Sequence, residues 1–180
     1  MAHVAQKEWC KRLKEQYPQY FSRKRVLDVG ALDINGNNRE LFNKCDYVGL
    51  DVIEGKNIDV VSIAHEYQPE ELFDVVLSTN ALEHDMYFKL TLNKMTELLK
   101  PEGFMFFSVA NNWPEHGTLK KQAAASGTSS KGKEWGSYYR NLNIEDVTQN
   151  LHLNEVFIEF YIGLAGMARR KDLRFWGIKR

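Results

Sequence analysis

Cysteine is nearly missing from this chain: two residues, Cys10 and Cys45, stand among 180. Without paired cysteines or a Cys/His ligand spacing, a disulfide-stapled scaffold and a zinc finger are both excluded, and the composition suits a reducing cytosol. Long apolar runs are absent, and the opening MAHVAQKEWCKRLKEQYPQYF is too charged for a signal peptide. A soluble, cytoplasmic protein is therefore expected. No charge of one sign prevails: 24 Lys and Arg face 24 Asp and Glu. No global field draws the chain onto nucleic acid or an anionic membrane, so neither is an expected partner. Positive charge gathers at Lys7, Lys11, Arg12, Lys14 and Arg23–Arg25 and in RRKDLRFWGIKR, which reads most simply as solvated surface. No repeat is visible, and the length suits one domain over 1–180. Oligomeric state is not legible.

What is present is a series of short apolar runs rich in valine and leucine. RVLDVG, YVGLDV, NIDVVSI and LFDVVLSTN lack polar alternation, the mark of strands covered on both faces in a parallel sheet. Between them lie helical stretches. Val4 to about Gln16 has helical spacing with Val4, Trp9 and Leu13 on its expected buried side, forming with the residues to 22 an N-terminal brace. NGNNRELFNKC reads as a turn into a short helix. YFKLTLNKMTELLK is a second amphipathic stretch, and PEG turns it into FMFFSVA, with Gly103 available for a positive φ. NIEDVTQNLHL is a helix capped by Asn143 with Asp146 three residues on. EVFIEFYIGLA and DLRFWGIKR form a closing strand pair. The class is α/β, doubly wound. Residues 111–137, rich in Ala, Ser, Gly and Lys, read as a flexible lid or loop.

The stretch RVLDVGALDINGNN begins like a nucleotide-binding strand and loop, yet a Walker loop is excluded by the Gly30 to Gly36 spacing and by Asn37. The dinucleotide pattern fails too, because Leu32 and Asp33 occupy its inner positions. A nicotinamide-dependent oxidoreductase is thereby disfavoured. Asp51 ends the second strand 21 residues after Gly30, where a carboxylate can accept hydrogen bonds from both ribose hydroxyls. The spacing suits an adenosine-type ligand.

VLDVG, YVGLD, FDVVLSTNALEHD and LLKPEGFMFFSV, in this order from Val26 to Val109, resemble the class I S-adenosylmethionine-dependent methyltransferases, and GALDINGNNR resembles a type 11-like subgroup. The resemblance implies a Rossmann-like, mostly parallel seven-stranded sheet with a C-terminal antiparallel strand pair, and S-adenosyl-L-methionine as cofactor. It sets Asp28, Gly30 and Ala31 along the methionine moiety, Asp33 and Asn35 in the loop, Asp51 on the ribose and Val52 on the adenine. Ile63 stands where the family has an adenine-binding acid, followed by Ala64, and Ser78, Thr79 and Asn80 approach the sulfonium. NNWPEHG and GSYYRNLNIEDV fall at the acceptor pocket.

Methyl transfer needs alignment, exclusion of water and, for a hydroxyl or amine, removal of a proton. His116 or His84, after strands five and four, is the expected base, His84 reading also as a residue that caps or orients its loop through Glu83, while His3, His65 and His152 read as surface or packing residues. Trp135, Tyr138 and Tyr139 can stack on a planar acceptor and Trp113 can cap the sulfonium by a cation–π contact, or all four simply pack. No metal constellation is visible in the sequence. The expected function is methyl transfer to a hydroxyl or amine of a small polar or sugar-like acceptor. The alternative is a binding or regulatory module of the same fold without turnover.

Overall fold

In the computed structural model, residues 4–167 and 169–180 are described; His3 lies outside them. Strands β1 (Arg25–Val29), β2 (Asp46–Asp51), β3 (Val60–Val61), β4 (Phe73–Thr79), β5 (Leu99–Ala110), β6 (Phe157–Met167) and β7 (Arg170–Lys179) form one sheet in the order β3-β2-β1-β4-β5-β7-β6. β3 through β5 pair in parallel, and β7 runs antiparallel to both β5 and β6. This is the Rossmann-like arrangement the apolar runs implied, closing hairpin included. Among the described residues no helix is long and apolar enough to cross a membrane.

Alternation along the strands divides the core between the two faces. Leu27 and Val29 of β1, with Met105, Phe107 and Val109 of β5, pack under α2 (Phe88–Glu97) and α4 (Ile144–Leu151). Val26, Val75, Leu77, Phe104 and Phe106 face the other way, against α1 (Val4–Gln16) and an aromatic layer of Trp9, Tyr17, Phe21 and Tyr47. Asp28 shares that second face and is 2 % exposed.

α1 buries Gln6, Trp9, Cys10 and Leu13. Val4, expected on that side, is 80 % exposed. The i, i+3, i+4, i+7 face starts at Gln6, and Val4 lies two residues earlier, about 200° around the helix. The capping box of α4 is present, with Asn143 accepting from the Asp146 N–H and Asp146 from the Asn143 N–H. In PEG the positive φ falls on Glu102, at 59°, and not on Gly103. Gly103 is needed for space, since a Cβ there would lie 2.7 Å from Leu99 Cδ1 and 2.8 Å from the Lys100 carbonyl. NIDVVSI contributes only the two residues of β3, and RELFNKC only a single turn at Arg39–Leu41.

Residues 111–137 contain turns at Ala123–Ala125 and Gly127–Ser130 and the short helix α3 (Gly132–Gly136). The segment is tied at its far end. Leu119 N–H donates to Gly136 O at 2.7 Å and Trp135 Nε1 to His84 O at 3.0 Å.

Candidate active site

β1 sits between β2 and β4, and its outgoing connection leads to β2 on one side while the chain reaches β4 on the other. At such a switch point the loops part and leave a crevice beyond the carboxyl ends of the strands. Here it is an open cleft at the carboxyl ends of β1, β2 and β4. Asp28, Gly30, Ala31, Asp51, Val52 and Ala64 line it, as do Asn80 and His84. Ile63 is not among the lining residues, whereas Ser62 beside it is.

Gly30 turns the chain out of β1 with φ at 75°, and a Cβ there would overlap that of Ala81. Gly30→Ala combines a left-handed backbone cost of ~1–2 kcal/mol with overpacking of ~1–3 kcal/mol. We expect a loss of about 2–5 kcal/mol in denaturant unfolding, with the cleft distorted. Beyond Gly30, Asp33 organises the loop: Oδ1 accepts from the Gly36 N–H at 2.6 Å, and Oδ2 accepts from Asn37 Nδ2 at 2.8 Å and faces Lys56 Nζ at 2.7 Å. These partners hold its carboxyl below the usual range. Asn80 follows β4 directly in the left-handed region, φ 51°, where asparagine is tolerated. Its Oδ1 accepts from Ser108 Oγ at 2.7 Å.

Two carboxylates of different character border the cleft. Asp28 accepts from Tyr47 Oη at 2.6 Å through Oδ2, while Oδ1 has no hydrogen-bond partner. Burial pushes its pKa up to about 7, against the Tyr47 bond that favours the charged form. Asp51 accepts from the Val52 N–H at 2.7 Å through Oδ1 and from the Leu32 N–H at 3.2 Å through Oδ2. Burial raises its pKa and these amides oppose the rise. The Ile53 N–H is a third amide that favours the charged form, and the carboxylate lines the cleft. Gly127 packs directly on this carboxylate, a Cβ there falling 2.7 Å from Oδ1.

At the other end of the cleft the turn Leu82–His84 carries Glu83, fully buried, and His84, 2 % exposed. Neither carboxylate oxygen of Glu83 and neither ring nitrogen of His84 has a hydrogen-bond partner. The nearby N–H groups of Ala110 and of Glu83 itself only partly offset burial, which lifts the Glu83 carboxyl to about 7. Burial, then His116, lowers His84 to about 3. His116 stands edge-on to His84 with ring centroids 5.1 Å apart, and Tyr139 lies 5.4 Å from one and 5.0 Å from the other. Burial lowers His116 as well, against a 2.9 Å contact of its Nδ1 with Pro114 O. Trp135 lines the cleft, while Trp113 is turned to β7, its Nε1 donating to Asp172 Oδ1 at 3.0 Å.

Residues 1–155 match the model of a methyltransferase-domain family. The chain belongs to that family. Over 100 residues this methyltransferase domain is 32 % identical to (S)-coclaurine N-methyltransferase of Papaver somniferum, an alignment covering 45 % of the chain and 28 % of the plant enzyme. The chain thus matches little more than a quarter of that relative's length. In fold it is similar to N-methyltransferase NodS from Bradyrhizobium japonicum WM9, solved with S-adenosyl-L-homocysteine, at a TM-score of 0.63 and 16 % identity over 98 % of this chain and 88 % of that one. It is similar also to the 1,6-didemethyltoxoflavin-N1-methyltransferase of Burkholderia thailandensis, solved with 1,6-didemethyltoxoflavin and S-adenosylhomocysteine, at 0.65 and 17 % over 98 % and 78 %.

Three parts of the methyltransferase domain's cleft were not legible beforehand. Ser126, Gly127 and Thr128 line it, within the segment read as a flexible lid or loop, whose composition does not say which residues face the cleft. Ser62 takes the lining place beside Ile63. Beside the cleft Glu83 joins His84 and His116, one ligand atom of each lying within 4.8 Å of the others; the two histidines were expected near the acceptor, and Glu83 as their third member was not.

Proposed function

We propose that this chain binds S-adenosylmethionine in the cleft and transfers its methyl group to a nitrogen or oxygen of a small polar acceptor. The observation that carries the reading is the Asp51 carboxylate lining the cleft at the end of β2, beside the Cβ-free turn at Gly30. Those residues fit a ribose and the chain that leads from it to a sulfonium. When bound, the cofactor supplies a methyl group already activated on sulfur. The protein's own task is then alignment and exclusion of water.

Asp51 holds the ribose hydroxyls, Val52, Ser62 and Ala64 meet the adenine, and Asp28, Gly30 and Ala31 border the methionine end. Residues 123–136 act as the lid, with Gly127 over Asp51 and Trp135 bonded to the His84 carbonyl. The acceptor enters beside His84, His116 and Tyr139. Uncharged imidazoles there offer one lone pair each, either to an acceptor N–H or O–H directly or to an ion that in turn holds the acceptor. The N-methyltransferases among the similar proteins support a nitrogen acceptor, while the polar, hydroxyl-rich lid suits an oxygen equally.

The test is thermal unfolding with S-adenosylmethionine, S-adenosylhomocysteine and a nicotinamide dinucleotide. A ligand at ~100 times its Kd adds about 2.7 kcal/mol, roughly 5–10 °C for a chain of this size. We expect that shift with the first two only. A shift with the dinucleotide alone would overturn the reading, and tight binding without multiple turnover on any acceptor pool would leave a binding module.

A further inference from the structure

The least explained chemistry in the structure is at Glu83 and His84. A buried carboxylate and a buried imidazole, both without hydrogen-bond partners, leave a desolvation cost that folded proteins rarely tolerate unanswered. An apolar neighbour cannot repay it. A cation can, if a further ligand and an approach exist.

Both exist. His116 comes from the segment after β5, and its Nδ1 sits 2.9 Å from Pro114 O, so that Nδ1–H donates to the carbonyl and Nε2 keeps its lone pair. This is the outer-shell arrangement by which metal-binding histidines are held. One ligand atom from each of Glu83, His84 and His116 lies within 4.8 Å of the others. A tetrahedral ion with ligands at ~2.0–2.2 Å spaces them about 3.4 Å apart, so the loop carrying His116 has only to close by an ångström or so. The His84 side opens on the cleft.

We propose that Glu83, His84 and His116 form a binding site for a divalent first-row transition-metal ion. Two imidazoles and one carboxylate suit Zn²⁺, Fe²⁺ or Mn²⁺, whereas Mg²⁺ and Ca²⁺ take sets of oxygens. Three protein ligands leave a coordination position open, as in catalytic and not structural sites. That position faces the place where the acceptor enters. The consequence for the acceptor rests on the methyltransferase reading above. A nitrogen that gives its lone pair to an ion has none left for a methyl group, while an oxygen does. The ion therefore selects an acceptor that binds through a hydroxyl, best as one of a neighbouring pair.

The experiment uses the full chain, free of any histidine tag and stripped with chelator, titrated with Zn²⁺ in a calorimeter and with Co²⁺ by visible absorption, with Mg²⁺ as control. One ion per chain is expected for Zn²⁺ and Co²⁺, with d–d bands for Co²⁺ and no heat for Mg²⁺. Glu83→Gln and His116→Gln should each weaken binding about tenfold or more. Because Glu83 is buried and its variant can misfold, the half-buried His116, in a variant shown to unfold cooperatively, carries the decision. No stoichiometric binding by the wild type, or equal binding by His116→Gln, overturns the site. Ion-independent methylation of an amine by the stripped protein overturns the hydroxyl assignment. A thermal shift with S-adenosylhomocysteine is read in parallel: its loss with ion binding intact defeats the methyltransferase reading and not the metal site, and the reverse holds equally.

Discussion

Asp51→Ala is expected to abolish the thermal shift given by S-adenosylmethionine and S-adenosylhomocysteine. The wild-type carboxylate is held by the Val52 and Leu32 amides, with the Ile53 amide beside them, and these fix its plane. Two ribose hydroxyls can donate to it from the cleft, in hydrogen bonds to a charged acceptor worth ~1.5–3 kcal/mol each. Losing both amounts to roughly 3–6 kcal/mol, a rise in Kd of about two to four orders of magnitude. Asp51→Asn separates geometry from charge, because it keeps one accepting oxygen in the same plane. It should bind weakly while alanine does not bind. If calorimetry finds the alanine variant within about threefold of wild type, the ribose is not held at Asp51 and the ligand reading fails with it.

The sheet was readable because a parallel strand covered on both faces leaves an unbroken apolar signature. VLDV, VGLD and DVVLST carry it, and β1, β2 and β4 occupy those stretches. Asn143 and Asp146 were readable because a capping box is local. What escaped was set by tertiary packing. Val4 belongs to the apolar pattern by type and not by phase, since the helix is pinned by Trp9, Cys10 and Leu13 against the sheet. Glu102 takes the positive φ because Gly103 is wanted for its missing Cβ.

The cleft followed the same division. Gly30 and Asp51 are strand-end residues whose spacing encodes their neighbourhood, and both line the cleft. Glu83, His84 and His116 meet only because β4 and β5 lie side by side and deliver their carboxyl ends together. The order of the motifs brought the two histidines together beforehand, but no local rule adds Glu83 to them. Ser126–Thr128 escaped for an opposite reason: their composition is that of a solvated linker, and they line the cleft because Trp135 and Leu119 tie down the segment behind them.

Asp28→Asn should change how stability depends on pH. In the folded chain the Asp28 carboxyl is raised to about 7 by burial, with Asp51 nearby adding to the rise and Tyr47 and Arg39 opposing it. The unfolded value is 3.8. A raised pKa means that the native state holds the proton more tightly, so its stabilising effect is complete below the unfolded value and is lost as pH climbs through the folded one. Three pKa units at 1.36 kcal/mol each give about 4 kcal/mol lost between pH 4 and 8 from this one group. Asparagine keeps an oxygen for Tyr47 Oη and cannot ionise. Its amide, in place of the unpartnered Oδ1, costs ~1–3 kcal/mol at every pH. The variant should therefore be slightly less stable than wild type near pH 4 and more stable near pH 8, the two urea-unfolding curves crossing between. Parallel pH profiles would show that Asp28 ionises in the folded chain as it does in water. The ligand reverses the preference: an ammonium and a sulfonium beside Asp28 favour its charged form, so binding expels the proton. S-adenosylmethionine should then bind up to about tenfold more tightly at pH 8 than at pH 6, a difference that Asp28→Asn removes. The same carboxyl that weakens the empty fold at neutral pH thus becomes, under the proposed function, the group that rewards filling it.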